Sequence, residues 1–467
     1  LLLSPISSEI SSPETLLRHP IFIIAAIGIA IRIILIPLLQ YGYDMDYWAV
    51  IIRNIESGQG LYGLEGYYYT PVWGYFLSFQ SVIQELFMNI NVMGLRVPET
   101  FSIETLPWGF TSNVTSVAFN TAIKIPFLIS DLIVGYLVYW LIKDRTQDMR
   151  KATVGFALWF LCPIVIMVTS AAGMFDTFAV LFTLLCIVMV RKDKLFLAGV
   201  LLTFAILTKF FPIYLLFILL AYVYVKHRGE GSLSRSLFKA VAGALAAFFI
   251  LMLPQIWNGE VSDSLLFLSS RISEEGGSIL IKGAMLLNII CLAAAILFGI
   301  LLSRKSKEKV DDYFFIYALP LVLMPFISPG LPQYLVLAIP FLAFFIVWRN
   351  KHYFWPWLLI SIGGSMFIIA RYCGLLVSAG AFTDLISLND IVSAMITFNT
   401  PLSHWSRLID LSYQIAHAVE LGVVLGLLFF VLEWYKKGCR GEDVFGSVGL
   451  AFVLRLRHKL LRTIGGK

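Results

Sequence analysis

Along this chain the polar positions come in short clusters, and the apolar positions come in long unbroken runs. Apolar stretches fall at 20–40, 118–142, 152–170, 174–190, 195–208, 211–225, 238–256, 279–302, 312–327, 332–348, 353–377 and 411–435. Runs of this kind predict about twelve transmembrane helices, because a helix needs roughly 20 apolar residues to cross the hydrocarbon layer. The pair within 195–225 is the tightest, with two crossings in 31 residues. Its turn at Thr208, Lys209, Phe210, Phe211 and Pro212 is expected to be drawn into the membrane, which helices tolerate when packed among others. The first run has no small-residue cleavage site and reads as an anchor. Nothing alternates in ten-residue strands, so a transmembrane barrel is excluded. The fold class predicted is an all-α polytopic membrane protein.

Composition sharpens that reading. Hydrophobic residues make up 59% of the 467 positions and charged residues 14%, against about 25% charged in soluble domains. Soluble enzymes, disordered chains and disulfide scaffolds are excluded. The formal charge of +6 has a topological cause. Twenty-six of the 35 basic residues fall in Arg18, the loops around 143–151, 191–194, 226–239, 304–309 and 349–351, and the tail 436–467. With basic loops inside, one path follows: both termini cytoplasmic, and 41–117, 257–278 and 378–410 outside. No nucleic-acid partner is implied. Cys162, Cys186, Cys291, Cys373 and Cys439 are scattered and read as small core residues. The chain divides into a membrane module over 1–256, a second over 257–435 with two outer loops, and a basic amphipathic tail over 436–467, lying on the inner leaflet.

Candidate chemistry lies where charge is expensive. Asp44 and Asp46 follow the first helix, and two carboxylates at i and i+2 suit a divalent cation, a general base, or simply solvated helix-end acids. Asp176 either caps a helix N-terminus or binds substrate. Lys209 lies between two short helices and reads as a site for an anion or as a snorkelling lysine. Arg271, among Ser269, Ser270, Ser273, Gly276 and Gly277, suits a phosphate or an ordinary polar loop. Residues 72–87 read as an amphipathic helix in the outer interface. The crowd of Tyr and Trp from Tyr41 to Trp108 reads as a headgroup belt or as a platform for sugar rings. Zinc and nucleotide-binding motifs are absent from the sequence.

Taken in order, these pieces resemble the GT-C superfamily of membrane glycosyltransferases, and within it the catalytic subunit of GPI mannosyltransferase I and its prokaryotic relatives. The resemblance rests on Asp44-Met45-Asp46-Tyr47, on Gly58, Gly60 and Tyr62, and on Tyr67-Tyr68-Tyr69-Thr70-Pro71. It continues through Lys124 to Asp131, Pro163 to Asp176, Lys209 to Pro212, Ser269-Ser270-Arg271 and Pro332-Gln333-Tyr334. It implies an inverting transferase that moves a hexose, mannose first, from a polyprenyl or dolichyl phosphate sugar to a lipid-linked or glycan acceptor at the outer face. It implies Asp44 as base, with Asp46 as second carboxylate or as a ligand for Mn2+ or Mg2+. Lys209, Arg271, Gln333 and Tyr334 would meet the donor phosphate, and Tyr69, Asp176, Glu274 and Arg371 the substrates. The membrane would be the cell membrane in a prokaryote and the endoplasmic reticulum in a eukaryote. Membrane lipids complete the implied partners. A secondary transporter is the competing reading, since about twelve spans with buried charge also suit one. Against it stand the absence of an internal repeat and the length of the 41–117 loop.

The topology is tested by cysteine labelling in intact cells. Ser112→Cys and Ser387→Cys should both react with a membrane-impermeant thiol reagent, and protection of both would overturn the path.

Overall fold

The computed structural model describes residues 20–58, 60–62, 67, 69–83, 95–96, 113–114, 117–229, 231–265, 279–327, 332–371, 375–377 and 402–439. The chain opens with helix α1 (Pro20–Leu38), strand β1 (Leu39–Tyr41) and helices α2 (Gly42–Glu56) and α3 (Pro71–Ile83). Two short strands, β2 (Leu95–Arg96) and β3 (Asn113–Val114), pair before the long helix α4 (Val117–Thr146). Next come α5 (Met149–Phe160), α6 (Pro163–Ile166) running on as a π-helix over Met167–Ala172, and α7 (Asp176–Arg191). Helices α8 (Leu195–Thr208), α9 (Leu216–His227, entered by a 3-10 turn at Phe211–Leu215), α10 (Leu233–Asn258) and the short α11 (Val261–Ser264) follow. The second half holds α12 (Ile279–Ser303), α13 (Val310–Leu323), α14 (Ile339–Trp348, entered by a 3-10 turn at Pro332–Ala338), α15 (Phe354–Arg371), β4 (Leu375–Val377) and α16 (Leu402–Cys439).

Each of the twelve apolar runs is helical over most of its described residues, with the runs at 20–40 and 353–377 ending in strands β1 and β4. Among the described residues, six helices are long and apolar enough to cross a membrane, and a seventh arises if α5 and α6 count as one span bent by 45°. The segments Leu195–Thr208, Phe211–His227 and Gln333–Trp348 are apolar but shorter. The protein is an all-α polytopic membrane protein. Of the helix expected at 72–87, the described residues form α3 up to Ile83, whereas α2 is a helix that hydropathy did not single out. Met45, Trp48, Ala49 and Ile52 are buried along it, the i, i+3, i+4, i+7 stripe of an amphipathic helix.

The basic loops gather at one end of the bundle. Arg191 reaches Asp144 at 2.6 Å, Lys226 reaches Asp311 at 3.0 Å, Arg349 reaches Glu433 at 2.7 Å, and Arg145 pairs with Asp312. Arg228 donates to the carbonyls of Ser303 and Lys305. The opposite end carries β1, α2 and α3. There β1 pairs antiparallel with β4, Gln40 against Leu376, joining the exit of α1 to the exit of α15.

One ion pair lies deep between the two ends. Arg32 of α1 and Asp131 of α4 are both fully buried, with Nε 3.0 Å from Oδ2. Asp131 also accepts from the hydroxyls of Thr169 and Thr177, each at 2.8 Å. Arg32 Nη1 donates to the Phe160 carbonyl at 2.7 Å, and its guanidinium lies 4.2 Å from the Phe160 ring centroid. The Phe160 carbonyl needs such a donor because Pro163 breaks the helix just beyond it. The Leu158 carbonyl at the same break accepts from the Trp357 indole at 3.1 Å. Asp131 therefore belongs to the bundle interior, with Arg32 as the partner that sequence spacing could not supply. The described cysteines Cys162, Cys186 and Cys291 are free and buried, as small core residues.

Removing one member of this pair should cost far more than removing both, since a lone buried charge has nothing to replace water. Arg32→Met should lower stability by about 3–5 kcal/mol, and adding Asp131→Asn should recover part of the loss. Thermal unfolding of the purified protein in detergent checks both.

Candidate functional site

The end opposite the basic loops has its own apolar core, and that core sets the site. Trp73 of α3 stacks on Phe175 at 4.6 Å and on Phe76 at 4.8 Å. Trp48 of α2 meets Trp73 edge-on at 5.2 Å. Both indoles are buried, so they are neither a headgroup belt nor an open sugar platform. They clamp α2 and α3 onto the ends of α4 and α7.

The strand β1 turns directly into α2, which places Asp44 in the first helical turn, where peptide dipoles favour a carboxylate. On the facing wall the π-helix ends at Gly173, whose φ of +84° is a left-handed conformation natural to glycine. A methyl group at Gly173 would fall 2.5 Å from Met45 Sδ and 3.0 Å from Lys124 Cε. Three residues later Asp176 opens α7. No side chain caps this helix, so the capping role considered for Asp176 is not realised.

Lys209 comes from the break between α8 and α9. The helix stops at Thr208, Lys209 is extended at φ −148° and ψ 137°, and Pro212 starts a new 3-10 turn. The Leu207 carbonyl, left over at this helix end, accepts from the Thr70 hydroxyl. Tyr67 and Tyr62 donate to the carbonyls of Thr70 and Tyr69 at 3.0 and 2.9 Å. The tyrosine motif is thus a strap that carries Tyr69 to the break.

There Lys209 Nζ lies 4.3 Å from the Phe175 ring centroid, 5.0 Å from Tyr334 and 5.1 Å from Tyr69. Asp176 Oδ1 is 3.4 Å from the ammonium, an ion pair, while that oxygen has no hydrogen-bond donor. Asp44 senses both groups. Burial pushes its carboxyl up to about 7, with Asp176 raising it further and Lys209 pulling it down. A carboxyl tuned near neutrality is what a general base requires.

Five residues singled out in the sequence therefore converge: Asp44, Tyr69, Asp176, Lys209 and Tyr334. Gln333 is buried beside Tyr334 at the start of the same 3-10 turn. Arg271 and Glu274 lie outside the described residues, as do the side chains of Asp46 and Arg371, and with them the expected Asp44–Asp46 metal pair. Among the described residues no cluster of three or more His, Cys, Asp or Glu could hold a metal ion. Sequence reasoning missed Phe175 as a wall of the lysine pocket, although its place beside Asp176 was a signal.

Residues 109–257 match the model of the family described as dolichyl-phosphate-mannose-protein mannosyltransferase. The matched segment runs through α4 to α10 and carries Lys124, Asp131, Asp176 and Lys209; Asp44, Tyr69 and Tyr334 lie outside it. A crystal structure of ArnT from Cupriavidus metallidurans bound to undecaprenyl phosphate is 13% identical to this chain. That match covers 86% of this chain and 77% of that one, at a TM-score of 0.43. No curated protein matches the chain.

The carboxyl of Asp44 should titrate near 7 in infrared difference spectra. Asp176→Asn removes a like charge and should lower that midpoint, whereas Lys209→Met removes an opposite charge and should raise it. Coincident titrations in all three proteins would contradict the described coupling.

Proposed function

We propose that the chain is an inverting membrane glycosyltransferase. It moves a hexose, mannose first, from a polyprenyl-phosphate sugar to a lipid-linked or glycan acceptor at the outer face of the membrane. The observation that carries this reading is the meeting of Asp44, Asp176 and Lys209 at the end of the bundle away from the basic loops. The family match over 109–257 supports the reaction class. Mannose rests on the substrate of the matched family and on the resemblance of the ordered motifs.

The chemistry needs two things. A sugar phosphate already has a good leaving group, so the reaction wants a base for the acceptor hydroxyl and a cation for the departing phosphate. In a single displacement the acceptor oxygen forms a bond to the anomeric carbon as the bond to the phosphate oxygen breaks. The hydroxyl proton passes to Asp44, and the electron pair of the broken bond stays on the phosphate beside Lys209. Asp176, with an oxygen that accepts no hydrogen bond, is suited to a sugar or acceptor hydroxyl. Tyr69 and Tyr334 wall the same space. Asp46, Arg271, Glu274, Gln333 and Arg371 are candidates for the substrate and phosphate roles named above, and Asp44 and Asp46 would be the residues to hold Mn2+ or Mg2+.

Asp44→Asn should abolish transfer while the donor still binds, because an amide cannot take up the proton. Lys209→Ala should lower kcat more than it raises donor KM, since charge on the leaving phosphate grows in the transition state. Steady-state kinetics above donor KM measures both. Wild-type turnover in Asp44→Asn would remove it as the base.

A further inference from the structure

Lys124 is a charged residue that the proposed chemistry does not use. It lies fully buried on α4, in a helix otherwise built to cross the membrane. An ammonium has three N–H donors and no acceptor. Here they meet three carbonyls: Ile36 at 3.4 Å, Leu39, and Ala171 at 3.0 Å. Each carbonyl sits where a helix runs out. Ile36 and Leu39 lie at the end of α1 and the start of β1, and Ala171 lies at the end of the π-helix. Helix C-termini carry unsatisfied carbonyls and partial negative charge, and a cation there answers both.

The two segments that Lys124 joins are the ones that carry the site's carboxylates. Leu39 leads within five residues to Asp44, and Ala171 leads within five to Asp176. A second observation marks the same point. Met45, next to Asp44, rests on Gly173 so closely that no Cβ fits, and the Lys124 side chain fills the other side of that contact. Lys124 Nζ is committed to backbone, and the charged groups facing Asp44 are Lys209 and Asp176, so Lys124 acts on the site through the chain it holds. Seven residues along α4, two helical turns away on the same face, Asp131 holds Thr169 and Thr177 on either side of the Asp176 turn.

We propose that Lys124 is a positioning residue that bolts the Asp44 segment to the Asp176 turn and so fixes the two carboxylates relative to Lys209. The proposal rests on the reading of Asp44 as base. Misplacement of a base by about 1 Å can cost on the order of 100-fold in rate.

The test uses the full chain in lipid nanodiscs, with the best wild-type donor from polyprenyl-phosphate mannose, glucose and arabinose. Lys124→Met should lower kcat at least tenfold with donor KM changed less than threefold. It should also move the acidic limb of the kcat profile to lower pH, as Asp44 relaxes toward water and away from Asp176. Lys124→Gln, keeping two donors, should fall between. A folded Lys124→Met with wild-type kcat and limb overturns the proposal, and so does loss of rate in mere proportion to loss of folded protein. If Asp44→Asn keeps its rate, or no donor is used, the reading of the base fails instead. A second measurement needs no variant. In the wild-type protein, amide hydrogen exchange at 36–45 and 167–176 should report one shared opening, and independent opening of the two segments overturns the bolt.

Discussion

The Arg32–Asp131 ion pair is the interaction on which the rest of the structure depends. Two charges in an apolar bundle are tolerated when they are paired and their remaining hydrogen-bonding positions are mostly filled, and here Arg32 Nη2 is the one side-chain polar atom of the pair without a partner. Filling those positions dictates the local architecture. Asp131 commits one oxygen to Arg32 and Thr169 and the other to Thr177. Those threonines bracket the left-handed Gly173 turn, so satisfying a buried carboxylate also fixes where Asp176 emerges. Arg32 in turn closes the carbonyl exposed at the α5 break. The same helix α4 then supplies Lys124 to the other wall. The site is held from behind by Asp131 on the two threonine hydroxyls and by Lys124 on backbone carbonyls.

That division of labour matters for the lysine. Lys209 is enclosed by three aromatic faces and meets Asp176 at 3.4 Å. Ring faces stabilise a cation by roughly 0.5–2 kcal/mol without neutralising it. Low-dielectric walls of this kind strengthen the attraction between a cation and an anion brought beside it. The Asp44 carboxyl is tuned by the same neighbours, burial pushing it toward neutrality while Lys209 restrains the shift. The Asp44 carboxyl and the Lys209 ammonium are therefore coupled, and a change in one is read by the other.

Hydropathy located the helical runs, because an apolar run satisfies its backbone in a bilayer by forming a helix, but six or seven described helices, not twelve, are long and apolar enough to cross. Basic-loop counting found the end at which Arg145, Arg191, Lys226 and Arg349 meet their acids. What it could not show were contacts between distant segments. Lys209 has no acid near it in sequence, and its partner Asp176 is 33 residues away on another helix. Arg32 and Lys124 stood out as charges in apolar runs, yet only the fold reveals that one is paired to Asp131 and the other to carbonyls. The aromatic crowd after β1 had two sequence readings, and the buried Trp48 and Trp73 follow neither. Packing α2 against α3 needs a core of its own, and these indoles are that core.

The central claim is glycosyl transfer, and one measurement addresses it directly. Purified protein is given polyprenyl-phosphate mannose, glucose and arabinose with a native lipid extract, and products are read by mass spectrometry and anomeric analysis. The account predicts a new glycosidic product from one of these donors, with its anomeric configuration inverted. Uptake of solute by proteoliposomes, with no glycosidic product from any donor, would contradict it.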